Sequence, residues 1–423
     1  MRWSFAVSIL VVPIAAHAGW AYLEARLFGE AIAGIRSRGE PVTLGEMRTR
    51  PATEEGIRSE RSYLAAAVLA SNRPLEQSFF ERAWAADGKG DWPAGLADEM
   101  RRQVSERDDA LQSLDRAAPL TFEGFSRGTD ETLPALFPLA RLAGLRTMSL
   151  ALDGGGNRAA ASLYAELRLR PVVEWAFPIF SAPVGEIDRV GVVLSSSHPA
   201  SASLSGIGRA LADLDRDDAL KRWFLWRRAA LFESRFGAVS SPRSGTTESD
   251  FDGVGVRGVL GRVLGQPWFE RQLRTRAETL STVIAALGQP WPERATAVAR
   301  AYDALGPPPS DQFRLPDVSM SKQIVDHLAL VRVARVIVAI ERSRREHREA
   351  MPAHLEDLVP GYLEVLPVDP YSGQRLLLRT EARSYAVYSL GPNGRDDRGD
   401  FTLLRFAQGV RESRDVGIRI QYR

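Results

Sequence analysis

The sequence predicts a mainly α-helical protein with a middle domain of helical hairpins and a small C-terminal α+β module, in which a long helix packs on a short antiparallel sheet. Three observations lead to this fold class. Apolar residues recur at helical spacing over most of the chain, in runs that Gly- and Pro-rich turns separate. A long amphipathic segment covers residues 321–349. Two short runs of strand composition follow it, at residues 376–378 and 385–388.

The composition sets the broad class of the protein. Of its 423 residues, 44% are hydrophobic and 26% are charged, as in ordinary globular proteins. This length is sufficient for two or three domains, each with its own core. The 55 basic and 53 acidic side chains nearly cancel and no long basic block occurs, so we expect no nucleic-acid partner. Cysteine is absent, which excludes disulfides, thiolate metal sites and cysteine nucleophiles.

The N-terminus has the features of an export segment. After Arg2 the chain is largely apolar as far as Ala16, and the A-x-A pattern that ends at Ala18 is typical of a signal peptide. The apolar stretch nevertheless continues to Leu23, which makes it long enough to span a bilayer. We therefore expect residues 1–23 to form a single inner-membrane span, with the bulk of the chain on the periplasmic or extracytoplasmic side. The alternative is secretion to the periplasm after cleavage near Ala18.

The elements that follow are predicted from apolar spacing and from turn residues. Helical spacing runs over residues 22–38, and Gly39 and Pro41 end it. Thr43 and Glu46 then have the spacing of a capping box at the start of a short helix. Short turns between the later helices favour antiparallel neighbours. These helices are predicted over residues 62–70, 96–114, 132–152, 159–177, 184–194, 201–215, 219–236, 259–287 and 293–305.

Changes in composition along the chain give the expected domain boundaries. Short polar residues around Pro242 have almost nothing to bury and are typical of an exposed linker. The triple proline that starts at Pro307 is typical of a stiff spacer. The predicted segments are 1–23 as membrane anchor or signal peptide, 24–236 as α-helical domain, 237–254 as linker, 255–306 as further helices packing on that domain, and 310–423 as the α+β module.

Several polar motifs were tested as catalytic or binding sites. Gly253 to Gly258 match G-x-G-x-x-G, but polar and acidic residues stand where a dinucleotide site needs a buried strand. The serines beside His198 lack the G-x-S-x-G turn of a serine hydrolase, and we expect Ser201 or Ser203 to cap the next helix. The five histidines show no paired metal-binding spacing. Four aspartates have the pattern of a helix junction with an N-cap: Asp213, Asp215, Asp217 and Asp218.

The C-terminal module should be built around the helix predicted over residues 321–349. Its wide apolar stripe includes Leu328 and Val331, whereas Arg332 and Arg335 lie mostly off this stripe. Such a stripe needs a sheet or another helix to cover it. The two runs of strand composition, which a polar turn separates, give a hairpin as the most economical interpretation. Further candidate strands are residues 401–406 and 416–422.

Within this module several motifs stand in a specific order. Met351-Pro352 leads to Leu355-Glu-Asp-Leu-Val-Pro360, then to Leu366-Pro-Val-Asp-Pro370, and finally to Tyr385-Ala-Val-Tyr-Ser-Leu-Gly-Pro-Asn-Gly394. This order resembles the globular part of the type II secretion major pseudopilin and related pilin-like proteins. The resemblance implies a pilin-like fold, a link to a type II secretion or pilus-like system, and envelope proteins as partners. The whole chain resembles exported bacterial proteins, a resemblance that implies no activity.

The same resemblance implies a metal site. In pseudopilins the loop after the Ser-Leu-Gly strand end holds a calcium ion through aspartate carboxylates and backbone carbonyls. Here Asn393 stands where that family commonly has aspartate, and the loop is several residues shorter. Calcium needs six or more oxygen ligands, to which carboxylates contribute most. The implied calcium ligands are Asn393, Asp396, Asp397 and Asp400.

The expected function follows from the export segment and the C-terminal module. We expect a non-enzymatic, membrane-tethered envelope protein that acts as a scaffold or interaction module. The sequence contains no catalytic constellation and implies no cofactor other than calcium. Two alternatives stay open: an exported hydrolase, or a ligand-binding helical protein, with its site in the helical domain. Converging Asp, Glu or His side chains with perturbed pKa values would favour the hydrolase.

Overall fold

The computed structural model describes residues 2–47, 51–89, 92–125, 133–176, 185–216, 218–240, 256–290, 293–294, 296–297, 300, 318–400 and 414–422. These residues belong to two units. Unit 1 comprises Met1–Met47, Lys221–Gln289 and Glu293–Val318. Unit 2 comprises Arg48–Leu220, Pro290–Pro292 and Ser319–Arg423.

The described residues are mainly helical, with a small antiparallel sheet near the C-terminus, which confirms the predicted class. The helices are α1 (Arg2–Ser37), α2 (Leu44–Met47), α3 (Glu54–Asn72), α4 (Gln77–Lys89), α5 (Ala94–Ser105), α6 (Asp108–Ala117), α7 (Leu136–Leu152), α8 (Gly156–Ala176), α9 (Glu186–Ser196), α10 (Ser201–Leu214), α11 (Ala219–Ser240), α12 (Val256–Ala286) and α13 (Val318–Glu346). Short 3-10 helices cover Leu133–Ala135 and Leu355–Leu358. The strands are β1 (Leu377–Glu381), β2 (Ser384–Ser389) and β3 (Val416–Gln421).

One predicted helix was wrong: residues 96–114 form two helices, α5 and α6, with a break at Arg107. The side chain of Arg107 lies at this break. It is buried, and its guanidinium donates to the carbonyl oxygens of Arg73 at 2.5 Å and Pro74 at 2.9 Å, at the end of α3. Buried guanidinium groups need such acceptors, so the Arg107 side chain holds the junction of α5 and α6 against the end of α3. The spacing of apolar residues carries no signal of this contact.

In unit 1 the predicted helix over residues 22–38 is confirmed, because α1 runs without interruption to Ser37. The predicted capping box is confirmed as well. The Thr43 hydroxyl accepts from the Glu46 N–H at 3.2 Å, and the Glu46 carboxylate accepts from the Val42 N–H at 2.7 Å. These bonds satisfy N–H groups at the start of α2. The hydrophobic core of this region is formed by Phe28, Ile35, Val42, Phe232, Leu273 and Ala277.

Contacts along the three long helices of unit 1 establish their directions. Phe28 of α1 meets Phe232 of α11 edge to face, whereas Glu40, beyond the end of α1, pairs with Arg228 at 2.7 Å. Contacts further along α1 thus fall earlier on α11, so these two helices are antiparallel. Arg228 also reaches Ser281 of α12 at 3.0 Å, while the core joins Phe232 to earlier residues of α12. Helix α12 is therefore antiparallel to α11 and parallel to α1.

In unit 2, α13 lies inside a single hydrophobic core. Its apolar residues from Ala329 to Ile340 are buried, and they share one cluster with residues of α8, α9 and α10 and with buried residues of β2 and β3. Gly208 of α10 approaches Val338 on one side, and Tyr385 of β2 donates to Glu341 at 2.8 Å on another. The sheet and the helices therefore share one core. The domain boundaries predicted from composition stay predictions.

The predicted hairpin and the predicted last strand are confirmed. Strands β1 and β2 pair antiparallel and close at Glu381 opposite Ser384, and β2 pairs antiparallel with β3 from Ser384 opposite Gln421 to Ser389 opposite Val416. The sheet order is β1-β2-β3, and every residue of the central strand is buried. The candidate strand at residues 401–406 lies outside the described residues, as does most of the predicted linker, of which the first four residues are helical.

A glycine allows β3 to lie against α9. A Cβ atom on Gly191 would stand 2.7 Å from Cγ2 of Ile418, and nearby the Gln421 N–H donates to the Ser195 hydroxyl at 3.2 Å. Because the methyl of a β-branched side chain on a paired strand moves little, a larger residue at 191 would push the strand away. This contact fixes the sheet against the helical part of unit 2.

We predict opposite effects of alanine at two helical glycines of unit 2. Gly191→Ala should lower the free energy of unfolding by about 1–3 kcal/mol through overpacking against Ile418, which outweighs the gain in helix propensity. Gly208→Ala is the matched control, because its Cβ would make only ordinary contact at 3.6 Å with Val338. There we expect a gain of up to about 1 kcal/mol. Urea unfolding measures both, and equal effects would show that β3 does not lie on α9.

Candidate functional site

The loop after β2 carries the predicted calcium ligands, and each has a protein partner. The Asn393 side-chain amide donates to Asp397 at 2.8 Å. Asp396 accepts from the Tyr388 hydroxyl at 3.1 Å, and Asp400 accepts from Arg414. Over the described part of the chain, no group of three or more His, Cys, Asp or Glu side chains is placed to hold a metal ion. The calcium site implied by the resemblance stays a prediction, which calorimetric titration of the full chain with calcium tests.

A fourth acidic residue, which lies outside the predicted ligand set, organises this loop. Asp415 precedes β3, is buried, and accepts from the N–H groups of Gly399 at 2.8 Å and Asp397 at 3.3 Å. Burial raises the pKa of Asp415, and the negative charges of Asp397 and Asp396 add to this, although the two N–H donors oppose it. Asp415 lies 15 residues after Asp400, so spacing within the loop could not reveal it.

Asp369, in the Leu366-Pro-Val-Asp-Pro370 motif, connects the preceding turn to the end of β2. Its buried carboxylate accepts from the Ser389 hydroxyl at 2.6 Å and from the Leu390 N–H at 3.2 Å. It also accepts from the Tyr371 N–H at 2.9 Å and the Ser372 hydroxyl at 2.7 Å. Four donors compensate for the desolvation of this carboxylate. The aspartate of the motif therefore has a structural role here.

A second group of polar side chains converges where α13 ends. Three segments contribute to it: the start of α10, the end of α13 and the turn around Tyr362. The Glu346 carboxylate accepts from the Ser201 hydroxyl at 2.6 Å and from the Tyr362 hydroxyl at 2.8 Å. Nδ1 of His347 lies 3.5 Å from the Tyr362 hydroxyl, and Nδ1 of His198 lies 3.3 Å from Arg345. We call this group the α13-end cluster: His198, Ser201, Arg345, Glu346, His347 and Tyr362.

The α13-end cluster shows that the predicted cap of α10 was wrong. Neither Ser201 nor Ser203 is the N-cap residue of the helix. That position is occupied by Ala200, which makes no side-chain capping hydrogen bond. Instead the Asn157 side chain accepts from the Ala200 N–H at 2.8 Å and from the Ser203 hydroxyl at 3.1 Å. Asn157 follows the glycines that separate α7 from α8, and sequence spacing does not connect it to α10.

The chemistry open to the α13-end cluster is limited by its hydrogen bonds. Ser201 donates to a carboxylate, while His198 is directed to Arg345, so this cluster does not form a serine–histidine pair. The donors Ser201 and Tyr362 lower the pKa of Glu346, which makes it a weak base near neutral pH. The arrangement is therefore suited to joining α10, α13 and the following turn.

The backbone is strained immediately after this cluster. Arg348 and Glu349 have φ values of 54° and 65°, in the left-handed region that non-glycine residues rarely adopt. The Glu349 N–H donates to the Arg344 carbonyl at 2.7 Å, and its carboxylate pairs with Arg344 at 3.0 Å and with Arg345 at 2.5 Å. These bonds hold the chain in the turn that leads from α13 toward the sheet.

Buried ion pairs connect α13 to the surrounding helices. Asp215, which the sequence placed in a helix junction, pairs with Arg332 at 2.9 Å and also with Arg335. Arg332 donates in addition to the Val368 carbonyl at 2.8 Å. One arginine of α13 thus joins the end of α10 to the turn before the sheet. The apolar pattern placed these arginines off the stripe, but Arg332 is buried because its partners come from both sides.

Helices α8 and α9 also exchange buried ion pairs. Arg170 pairs with Glu186 at 2.8 Å, and Nε of Arg189 donates to Glu166 at 2.9 Å. Burial raises the pKa of Glu166 in spite of Arg189. Facing this region from α13 is His327. Burial, assisted by the charge of Arg170, lowers the pKa of His327 to about 3, and Nδ1 accepts no hydrogen bond from the described residues.

Comparison of the chain with protein-family models, with curated proteins and with solved structures gives no match in any of the three. Function therefore has to be argued from the described residues themselves. One helical stretch among them, Leu133–Leu152, is long and apolar enough to cross a membrane. Because 61% of that stretch is buried in unit 2, it is adequately explained as a core helix.

We predict that His327 makes the stability of the protein depend on pH. Its pKa is lower in the folded chain than in the unfolded chain, so its contribution is complete above about pH 6.5 and falls as the pH drops toward 3. The slope should be about 1.4 kcal/mol per pH unit over that range. His327→Leu should flatten the curve of unfolding free energy against pH, measured by urea titration. His198→Gln, at an exposed histidine, is the control and should leave the slope unchanged.

We predict that Asp415 holds the loop after β2. In Asp415→Ala, the amide protons of Asp397 and Gly399 lose their acceptor, and such bonds to a charged group contribute about 1.5–3 kcal/mol. Hydrogen exchange of these two amides should accelerate at least about tenfold. Asp400→Ala is the control, since that exposed side chain contacts Arg414 and accepts from neither amide. Equal exchange in the wild type and Asp415→Ala would exclude this role.

Proposed function

We propose that this protein is a non-enzymatic envelope protein that is tethered to the inner membrane by α1 and acts as a scaffold or interaction module. The observation that carries the proposal is the change of surroundings along α1. Toward its start Val12 is 65% exposed and Ile14 is 63% exposed. Further along the same helix, Phe28 and Ile35 are buried in the core of unit 1. Exposed valine and isoleucine on a helix are stabilised by lipid, which supports a membrane span.

The continuity of α1 supports a fixed tether. The helix passes from the exposed residues Val12 and Ile14 into the core of unit 1 without a break, although Pro13 lies within it. Proline near the start of a transmembrane helix is tolerated. Glu24 is the first acidic residue of α1 and follows its apolar N-terminal stretch. Its carboxylate accepts from the Trp20 ring N–H at 3.3 Å. On this proposal unit 1 stands next to the bilayer, and the bulk of the chain is extracytoplasmic.

The C-terminal sheet supports a role in protein contacts. Strand β1 has one neighbouring strand among the described residues, and it stands at the edge of the sheet. Such edges accept an added strand from a partner. Close by in sequence, Val365 and Val368 are exposed apolar residues. The resemblance to pseudopilins adds the expectation of partners in a type II secretion or pilus-like system.

The polar clusters of unit 2 support a non-enzymatic role. Asp369 and Asp415 hold the chain around the sheet, and Glu346 joins α10 to the end of α13. Each of these carboxylates is occupied by donors from the protein itself. An exported hydrolase would need a carboxylate or histidine that faces a substrate.

We predict that the tether is abolished by charge at the exposed residues Val12 and Ile14 of α1. In cells fractionated with a carbonate wash, the full chain should stay in the membrane pellet, while Val12→Asp with Ile14→Asp should shift to the soluble fraction. Aspartate at a helix centre in the bilayer costs about 2.5–3.5 kcal/mol per residue on insertion scales. The matched control is Val365→Asp with Val368→Asp, two exposed valines of unit 2, which should stay in the pellet.

Two other results would change the conclusion. Recovery of the wild-type chain in the cytosol would contradict the tether altogether. Recovery in osmotic-shock fluid, with a mature N-terminus near residue 18 by mass spectrometry, would support cleavage and secretion to the periplasm instead.

A further inference from the structure

Helix α12 runs beside α1 in the same direction, and one ion pair shows how the two are aligned. Glu24 of α1 pairs with Arg274 of α12 at 3.1 Å. Because the helices are parallel, residues that precede Glu24 and residues that precede Arg274 lie toward the same end. On α1 that end includes the exposed residues Val12 and Ile14. The corresponding part of α12 therefore also points toward the proposed bilayer.

Aromatic side chains occur on both helices at this level. Trp268 of α12 lies six residues before Arg274, about 9 Å along the axis, and Trp20 lies four residues before Glu24, about 6 Å along α1. Trp268 is 42% exposed, and Tyr22 on α1 is 72% exposed. Tryptophan and tyrosine favour the headgroup region of a bilayer, where one part of the ring is apolar and the other is hydrated.

Charge and length add to the argument from aromatic residues. Arg271 is exposed and lies less than one turn after Trp268. It is therefore further from the bilayer centre than Trp268, at the level where it would meet lipid phosphates. Beyond Trp268, α12 continues back to Val256, a further 12 residues or about 18 Å. In sequence, residues 256–267 contain five valine or leucine residues and two arginines but no acidic residue. The part of α12 that precedes Trp268 therefore carries positive charge and no negative charge, which favours an anionic lipid surface.

We propose that α12 makes a second contact with the membrane, in which Trp268 and Arg271 lie in the headgroup region of an anionic phospholipid surface beside α1. This inference rests on the proposed tether by α1, and it goes further by assigning a lipid-binding surface to a helix that lies more than 200 residues later in the chain. With two helices in contact with the bilayer, unit 1 would have a defined orientation, which a single span does not provide.

The absence of cysteine makes the proposal directly measurable. Single cysteines at 268, 275 and 282 follow one exposed stripe of α12 and span 14 residues, about 21 Å along the helix. Thr275→Cys leaves Trp268 and Arg271 in place, and Ile14→Cys reports on α1. Each full-length variant carries a nitroxide in nanodiscs of phosphatidylethanolamine and phosphatidylglycerol. Collision rates with oxygen and with a water-soluble nickel chelate give the depth, and circular dichroism confirms that each variant is folded.

We expect depth to decrease from 268 through 275 to 282, with the nitroxide at 268 in the headgroup region and the one at 282 accessible to nickel as in water. A lipid-buried label at 14 together with a fully aqueous label at 268 would overturn the second contact and leave the tether intact. Aqueous labels at both 14 and 268 would overturn the tether and the second contact together. A label at 268 that is shielded from both oxygen and nickel would indicate a protein neighbour and would also overturn the proposal.

Discussion

The structure of unit 2 depends on the burial of α13 together with its arginines. A buried guanidinium is costly unless acceptors surround it. Arg332 finds them in the Asp215 carboxylate at the end of α10 and in the Val368 carbonyl before the sheet. Both segments therefore stabilise the buried position of α13. The helical layer and the sheet are joined by this requirement as much as by the hydrophobic core that they share.

Unit 1 uses the same device on a different set of helices. Arg228 of α11 is fully buried and donates to Glu40, which follows α1, and to Ser281 of α12. Burial lowers the pKa of Arg228 and the pairing with Glu40 opposes this, so the guanidinium stays charged. In each unit, an arginine within one helix binds a carboxylate in the turn that ends another. The position of that turn is thereby fixed.

Sequence periodicity predicted the elements that repeat locally and missed the contacts between distant segments. The long helix was expected over residues 321–349 and is observed as Val318–Glu346, because its apolar spacing extends over the whole element. The hairpin was equally predictable, since Glu381 and Ser384 close it across two residues. The break at Arg107 was not, because the partners of this side chain are two carbonyl oxygens at the end of another helix. Periodicity reports which face of a helix is apolar but not which residues cover it.

The same limit explains what could be predicted of the candidate sites. Motif order pointed to the loop after β2, where Asn393 and Asp396 are close in sequence. Asp415 was missed because it joins the loop only when β3 pairs with β2, and the charge of Asp215 gave no indication of its arginine partners on α13. Each of these carboxylates meets donors from other segments of the chain. A lysine, with a single compact ammonium group, could not reproduce the two-sided contacts of Arg332 or Arg228, because only the planar guanidinium directs several N–H groups to acceptors on different segments. In both units, a carboxylate in a turn is therefore paired with a buried arginine on a facing helix. Neither residue alone indicates this pairing, because the two are far apart in the sequence.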